Sequence, residues 1–235
     1  VYVIGQRKVI AEPGVITHLF IFWGFLILQL ETIEYMIRGF FPHFHFAAII
    51  GLDGYNGLLF LQDIFGGLVI AAIVVAAIRR FVIRPQHTVA SADSALILSL
   101  IVALMVTKFL ANSAEITYTL QNSAIPGGQA SVLALMSTDF AAAIQAIPGL
   151  SVEQVAPALH NLGHVPIWTP ISNSLAHLWV NIGVSSDTLW FLHHANYWLH
   201  IGIVVAFANY IPFGKHIHLI GAMPNIFFKK HGPKG

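Results

Sequence analysis

Cysteine is missing from all 235 residues, and Asp, Glu, Lys and Arg together make up only 9% of them. Without a thiol the chain forms no disulfide, performs no thiolate chemistry and ligates no iron–sulfur cluster of its own. The scarcity of charge excludes more. A water-soluble domain carries about 25% charged residues, so this chain lacks the polar surface that a soluble fold needs. The formal net charge is +1 and no basic cluster is interleaved with aromatics, so nothing points to nucleic acid. A signal peptide is not expected either, because Val1–Glu12 contains Arg7, Lys8 and Glu12 but no long apolar core. The absent initiator Met and the ending Lys229–Gly235, which reads as a linker, suggest a piece of a longer chain.

What is present is apolar. Hydrophobic residues supply 57% of the chain and the mean hydropathy is +0.76. Runs of about 20 apolar residues read as membrane spans, and their spacing predicts an all-α membrane protein. The expected architecture is a transmembrane helix bundle of four long spans with a helical outer cap. The spans run approximately over residues 14–38, 55–78, 94–118 and 188–222. Pro13 suits the first turn of the first span, Asp93 is the expected N-cap of the third, and Pro212 should kink the fourth. Residues 120–186 have no uninterrupted apolar run of spanning length and form the cap, with short helices over Val132–Ile147 and Ser151–His160. Asn173–Val184 is too short to cross and reads as re-entrant or interfacial. Nine of the eleven basic residues fall on the side shared by both termini, with Arg38 opposite and Lys108 inside the third span. Both ends are therefore expected in the cytoplasm.

Histidine, at 13, outnumbers every other ionisable type. In the last span His193 and His200 are two turns apart, and His200 and His218 are five turns apart, roughly 27 Å along an unbroken helix. Histidines so spaced suit cofactors at different depths. A b-type haem needs an axial ligand on each face, and His18, near the same end of the bundle as His218, is the candidate partner. Gly24 and Gly202 leave room for close approach. His43, His45, His87 and His231 fall in loops or tails, His216 points away from His218, and His160, His164, His177 and His194 in the outer cap stay open between an interfacial and a functional role. Other polar residues interrupt the spans: Glu31 and Glu34 in the first, Asp63 in the second, and Lys108, Asn112 and Glu115 in the third. Such groups are costly unless paired or facing water. Asp63, Lys108, Asn112 and Glu115 are candidates for a quinone headgroup site or a proton path, with an interhelical polar clamp as the plain alternative.

Several stretches carry a family resemblance: Gly5–Lys8, His18–Phe25, Arg79–Pro85, Trp198–His200, Ile211–His218 and Met223–Phe228. Together they resemble the nitrate reductase gamma-subunit-like membrane domains. More closely, they are similar to the membrane part of fused heterodisulfide-reductase-like iron–sulfur oxidoreductases of the electron-transfer-flavoprotein:menaquinone oxidoreductase type. His231–Gly235 resembles the junction to a cytoplasmic iron–sulfur domain. The resemblance implies haem b in the membrane, menaquinone as lipid-side redox partner, and iron–sulfur clusters only in the domain or subunit beyond residue 235. It implies His18 and His218 as ligands of the inner haem and His200 as a ligand of an outer one. Where the group carries a second histidine on the first ligand helix, this chain has Leu28, so an outer haem is either absent or bound by His200 with His193 or a cap histidine. The group's additional N-terminal span is missing.

These readings converge on a membrane cytochrome b module of a quinone oxidoreductase in a prokaryotic cytoplasmic membrane. It would pass electrons between menaquinone and an iron–sulfur domain fed by a soluble donor such as electron-transfer flavoprotein. A proton-relay transporter and a redox-silent membrane anchor are the alternatives.

Overall fold

The computed structural model describes residues 16–42, 44–83, 91–122 and 169–213, and every element among them is helical. Helix α1 spans Ile16–Phe40. Helix α2 spans Ala47–Ala77 and continues into a π-helical turn, Ile78–Ile83. Helix α3 spans Ala92–Asn122, α4 spans Pro170–Asn181 and α5 spans Ser186–Tyr210, which runs into a 3-10 turn, Ile211–Phe213. The side chains of Ile16, Thr17, His18 and Leu52 lie outside the described set.

Three segments are long and apolar enough to cross a membrane: Leu19–Phe40, Asp53–Ile83 and Ala92–Asn122. The fourth long helix is present as α5, but it falls short of the other three in apolar character. The cause is its polar content: His193, His194, Asn196, Tyr197, His200 and Asn209 interrupt it. The α-helix gives way to the 3-10 turn at Ile211, next to Pro212, which offers no N–H and whose ring crowds the preceding turn; the expected continuation to residue 222 lies outside the described residues. The expected cap helices Val132–Ile147 and Ser151–His160 lie outside the described residues.

Two details depart from the sequence expectation. The N-cap of α3 is Ser91, not Asp93: the Ser91 Oγ accepts from Ser94 N–H at 3.3 Å, and the Ser94 Oγ accepts from Ser91 N–H at 3.2 Å. This reciprocal pair is a capping box. Asp93 sits in the first turn, where a carboxylate favours the helix dipole, and accepts a hydrogen bond from Tyr210 that ties the end of α5 to the start of α3. The second departure is α2, which begins eight residues before Tyr55 and bends at Gly51, where φ is +74°. Only glycine adopts that conformation without strain.

The ends of the helices sort into two. At what we term the distal end, α1 finishes, α2 begins, and Asn122 of α3 donates to Ser186 of α5 at 2.6 Å. The proximal end holds the start of α1 and α3 and the finish of α2 and α5. Helix α1 packs closely on α2, and α3 packs closely on α4 and α5. Leu28, Val69, Ile73, Met105 and Phe109 form an apolar plug among α1, α2 and α3, and Ile97, Phe207 and Ile211 form another between α3 and α5. The exposed flanks are themselves apolar, with Leu30, Ile33, Val74, Val75, Leu199 and Val205 facing out, as a lipid-facing surface requires. Gly24 lets α1 approach α2, because a Cβ there would overlap a methyl of Val69, whereas Gly202 faces open space among the described residues. Gly24→Ala should therefore lower unfolding stability by about 1–3 kcal/mol, read as a fall in melting temperature in detergent. An unchanged melting temperature would mean that this helix pair does not need the close approach.

Candidate functional site

Between α1 and α3 lies a ladder of polar side chains, and its rungs share one register. Glu31, Tyr35 and Arg38 follow the i, i+4, i+7 spacing that places residues on one helix face. Lys108, Asn112 and Glu115 follow the same spacing on α3. Because the two helices run in the same direction, each residue meets the one 77 positions later. On the first rung, Lys108 Nζ lies 3.4 Å from Glu31 Oε2. On the second, the Tyr35 hydroxyl donates to Asn112 Oδ1 at 2.5 Å. On the third, Arg38 Nη2 donates to Glu115 Oε1 at 3.1 Å. Asn112 also braces the first rung, its Nδ2 donating to Glu31 Oε1 at 3.0 Å. The order of charge is reversed between the helices, acid to base on α1 and base to acid on α3, so each terminal rung is an ion pair.

Helix α5 closes the third side. The Tyr197 hydroxyl donates to the Tyr35 carbonyl at 2.5 Å, and the His200 ring meets Tyr35 edge-on with centroids 5.6 Å apart. His200 Nδ1 lies 3.1 Å from the Leu104 carbonyl and 3.1 Å from Thr107 Oγ1. His193 repeats the arrangement one heptad along both helices, with Nδ1 3.1 Å from the Ala111 carbonyl. A carbonyl oxygen only accepts, so Nδ1 carries the hydrogen in both rings, and in the neutral imidazole the lone pair resides on Nε2. A backbone carbonyl holding Nδ1–H is the usual support of a histidine that ligates or accepts through Nε2. On chemistry alone, both residues fit such a role.

A second cluster lies beside the ladder. Glu34 Oε1 accepts from the Tyr55 hydroxyl at 2.6 Å and lies 2.9 Å from His45 Nδ1. His45 was expected to be an ordinary loop residue, and pairing across the α1–α2 turn left no periodic signal that could have flagged it. Glu34 follows Glu31 by three residues, so the two carboxylates occupy adjacent turns of α1.

Asp63 stands apart from this site. Its Oδ2 accepts from Ile171 N–H at 2.6 Å, and its Oδ1 accepts from the Ser172 hydroxyl at 2.6 Å and from Ser172 N–H at 3.2 Å. Those amides are the unpaired donors of the first turn of α4, so the carboxylate caps that helix from a neighbouring one. Asp63 thereby holds a short helix whose N-terminus is buried part-way along α2. Trp179 Nε1 fixes the far end of the same helix by donating to Ser113 Oγ at 2.9 Å. The segment read as re-entrant or interfacial is this α4, seated against α2 and α3.

The ladder thus gathers Lys108, Asn112 and Glu115 from the expected set and adds Glu31, Tyr35, Arg38 and Tyr197. His193 and His200 flank it. His194 turns back to its own helix, Nδ1 2.9 Å from the Trp190 carbonyl with the ring over Trp190, and His177 is half-buried on α4. His218 and the cap histidines His160 and His164 lie outside the described residues, as do His43, His87, His216 and His231. His18 falls in the first turn of α1, with its side chain outside the described set. Leu28, the position where the resembled group has its second histidine, is part of the apolar plug with Val69, Ile73, Met105 and Phe109. Among the described residues no cluster of three or more His, Asp or Glu suits a bare metal ion.

No protein-family model and no solved structure matches the chain. Two curated relatives do. One, named "Probable iron-sulfur-binding oxidoreductase FadF", from Bacillus subtilis strain 168, is 24% identical over 232 residues, which is 98% of this chain and 26% of the relative. The other, named "EtfAB:quinone oxidoreductase", from Syntrophomonas wolfei, is 24% identical over 242 residues, which is 99% of this chain and 28% of the relative. The chain therefore spans about a quarter of the length of the relatives it matches.

Proposed function

We propose that this chain is the membrane module of an oxidoreductase and that the α1–α3 ladder binds and protonates a quinone headgroup. The observation that carries the reading is the ladder itself: ionisable side chains held in register inside helices apolar enough to cross a membrane. Intramembrane charges are costly and mark ion, proton or redox sites. A quinone needs apolar walls with a few convergent polar groups, and the plug and the ladder supply both. The oxidoreductase names of the two relatives, one with a quinone and one with iron–sulfur binding, support the same reading, and α5 completes the bundle as a fourth span.

In this proposal a b-type haem is held by His18 and His218 and supplies one-electron transfer between the quinone and a cytoplasmic iron–sulfur domain. Electron-transfer flavoprotein is the proposed soluble donor, menaquinone the lipid partner and a prokaryotic cytoplasmic membrane the location, with both ends of this segment on the cytoplasmic side. The proposal includes no second haem: Leu28, where the resembled group has its second histidine, lies in the plug, and the His200 ring meets Tyr35 edge-on. We assign His200 to the quinone, with His193 as its neighbour one heptad away.

One feature favours a transporter as the second reading. Helix α4 begins inside the bundle, and discontinuous helices are common at transporter sites. A single preparation separates the two. Purified full-length protein should show the reduced visible spectrum of a low-spin b haem, at one haem per chain by pyridine haemochrome. His200→Ala should keep that haem and lose quinone turnover by on the order of 100-fold. A colourless protein would leave only the transporter and anchor readings.

A further inference from the structure

Resting on the quinone reading, we propose that protons reach the Glu31–Lys108 pair from the distal end alone, through a port made by Glu34 and His45. Beneath the ladder the helices are apolar. Among the described residues, no Asp, Glu, Lys, Arg or His occurs on α1 from Leu19 to Leu30 or on α2 from Ile64 to Ile78. The same holds for α3 from Ser94 to Thr107 and for α5 from Ile201 to Tyr210. These stretches cover roughly 15–22 Å of each helix, and the plug of Leu28, Val69, Ile73, Met105 and Phe109 fills the space among α1, α2 and α3. Asp63 does not bridge the gap, because its two oxygens already accept three hydrogen bonds from the first turn of α4.

Toward the distal end the situation reverses. The Lys108 and Glu31 side chains are 3% and 8% exposed, against 14% for His45, 18% for Arg38 and 16% for Glu115. Glu34 is 6% exposed, as buried as the pair itself, so ionisable groups continue from buried Glu31 through buried Glu34 to the more exposed His45, Arg38 and Glu115. Two routes run in parallel. The Arg38–Glu115 rung is a charge-paired clamp, and an arginine does not release its proton, so this route orders the mouth without carrying protons. A carboxyl and an imidazole are both proton-transfer groups; Glu34 and His45 lie 2.9 Å apart, and Glu34 is one turn from Glu31 on the same helix. The port is therefore Glu34 with His45, and Tyr55 orients the Glu34 carboxylate.

The quinone takes two electrons from one-electron iron–sulfur or haem carriers and two protons at its two oxygens, giving the quinol. Each proton delivered from the Glu31–Lys108 pair is replaced from distal solvent by way of His45 and Glu34. Quinol oxidation runs the same path outward, with electrons returned to the carriers.

The test uses the full chain, including its iron–sulfur domain, in vesicles whose orientation is scored by cleavage of an N-terminal tag. A membrane-impermeant pH indicator is placed on one side, and a menaquinone analogue is reduced in a single turnover. Wild-type protein should change the pH on the distal side. Glu34→Gln and His45→Gln should each slow that change by on the order of 100-fold, with the binding of the analogue by fluorescence titration unchanged. Glu34→Asp should restore the rate. A pH change on the proximal side, or wild-type proton uptake in both Gln variants, would overturn the port while leaving the quinone site standing. Glu31→Gln with wild-type analogue binding and turnover would instead remove the quinone site on which the port depends.

Discussion

Lys108→Met should cost about 3–5 kcal/mol of stability and abolish quinone turnover. Lys108 and Glu31 are both buried, and the ammonium sits 3.4 Å from the carboxylate. Methionine matches the length of lysine and packs into irregular apolar space, so the change removes the charge with little change of volume. What it leaves is a buried Glu31 carboxylate with the Asn112 amide as its remaining partner on α3. Removing one member of a buried pair is costly for that reason, whereas replacing both members by apolar groups is close to neutral. The double variant Lys108→Met/Glu31→Leu should accordingly recover most of the stability while staying inactive, because the quinone contacts are gone. Thermal unfolding in detergent and quinone turnover, measured on both variants, separate the two effects. If the single variant unfolds at the wild-type temperature, the pair does not hold α1 against α3.

His18→Ala and His218→Ala should each eliminate the same low-spin haem completely. An axial imidazole is a direct bond to iron, and a bis-histidine site that loses either ligand loses its low-spin character. His18 falls in the first turn of α1 and His218 follows Tyr210 by eight residues, and both α1 and α5 have these termini at the proximal end. Pyridine haemochrome per polypeptide, with the reduced spectrum, gives the answer directly. Full haem content in both variants would show that the pairing is wrong. Leu28→His, at the position where the resembled group has a ligand, makes a useful control because Leu28 is packed in the plug.

The three apolar spans were legible to within a few residues at most ends because length and composition determine them. Polar residues inside those runs were legible as anomalies, which is how Asp63, Lys108, Asn112 and Glu115 entered the candidate set. Their partners were not, since the register between two helices is a property of the packing. The signal was nevertheless available: the i, i+4, i+7 positions of α1 read acid, tyrosine, base, and those of α3 read base, amide, acid. Asp63 shows the opposite case. Its partners lie 108 and 109 residues onward, and nothing near it in sequence announces a helix to be capped. The α3 cap was misplaced because Asp93 and Ser91 both suit the position, and only the reciprocal contact with Ser94 chooses between them. For α5, length alone suggested a span like the others, and its histidines and asparagines lower its apolar character.

The ladder also bears on how the chain enters a membrane during synthesis. A lysine delivered alone to the centre of an inserting helix costs about 2.5–3.5 kcal/mol, and α3 carries Lys108, Asn112 and Glu115 on one face. Since α1 and α2 precede it along the chain, Glu31, Tyr35 and Arg38 have emerged from the ribosome before α3 does. The later helix can leave the translocon directly onto a complementary face, each polar group exchanging channel water for its rung partner. A charge pattern that looks expensive in the isolated helix is thus matched by the order in which the helices are made.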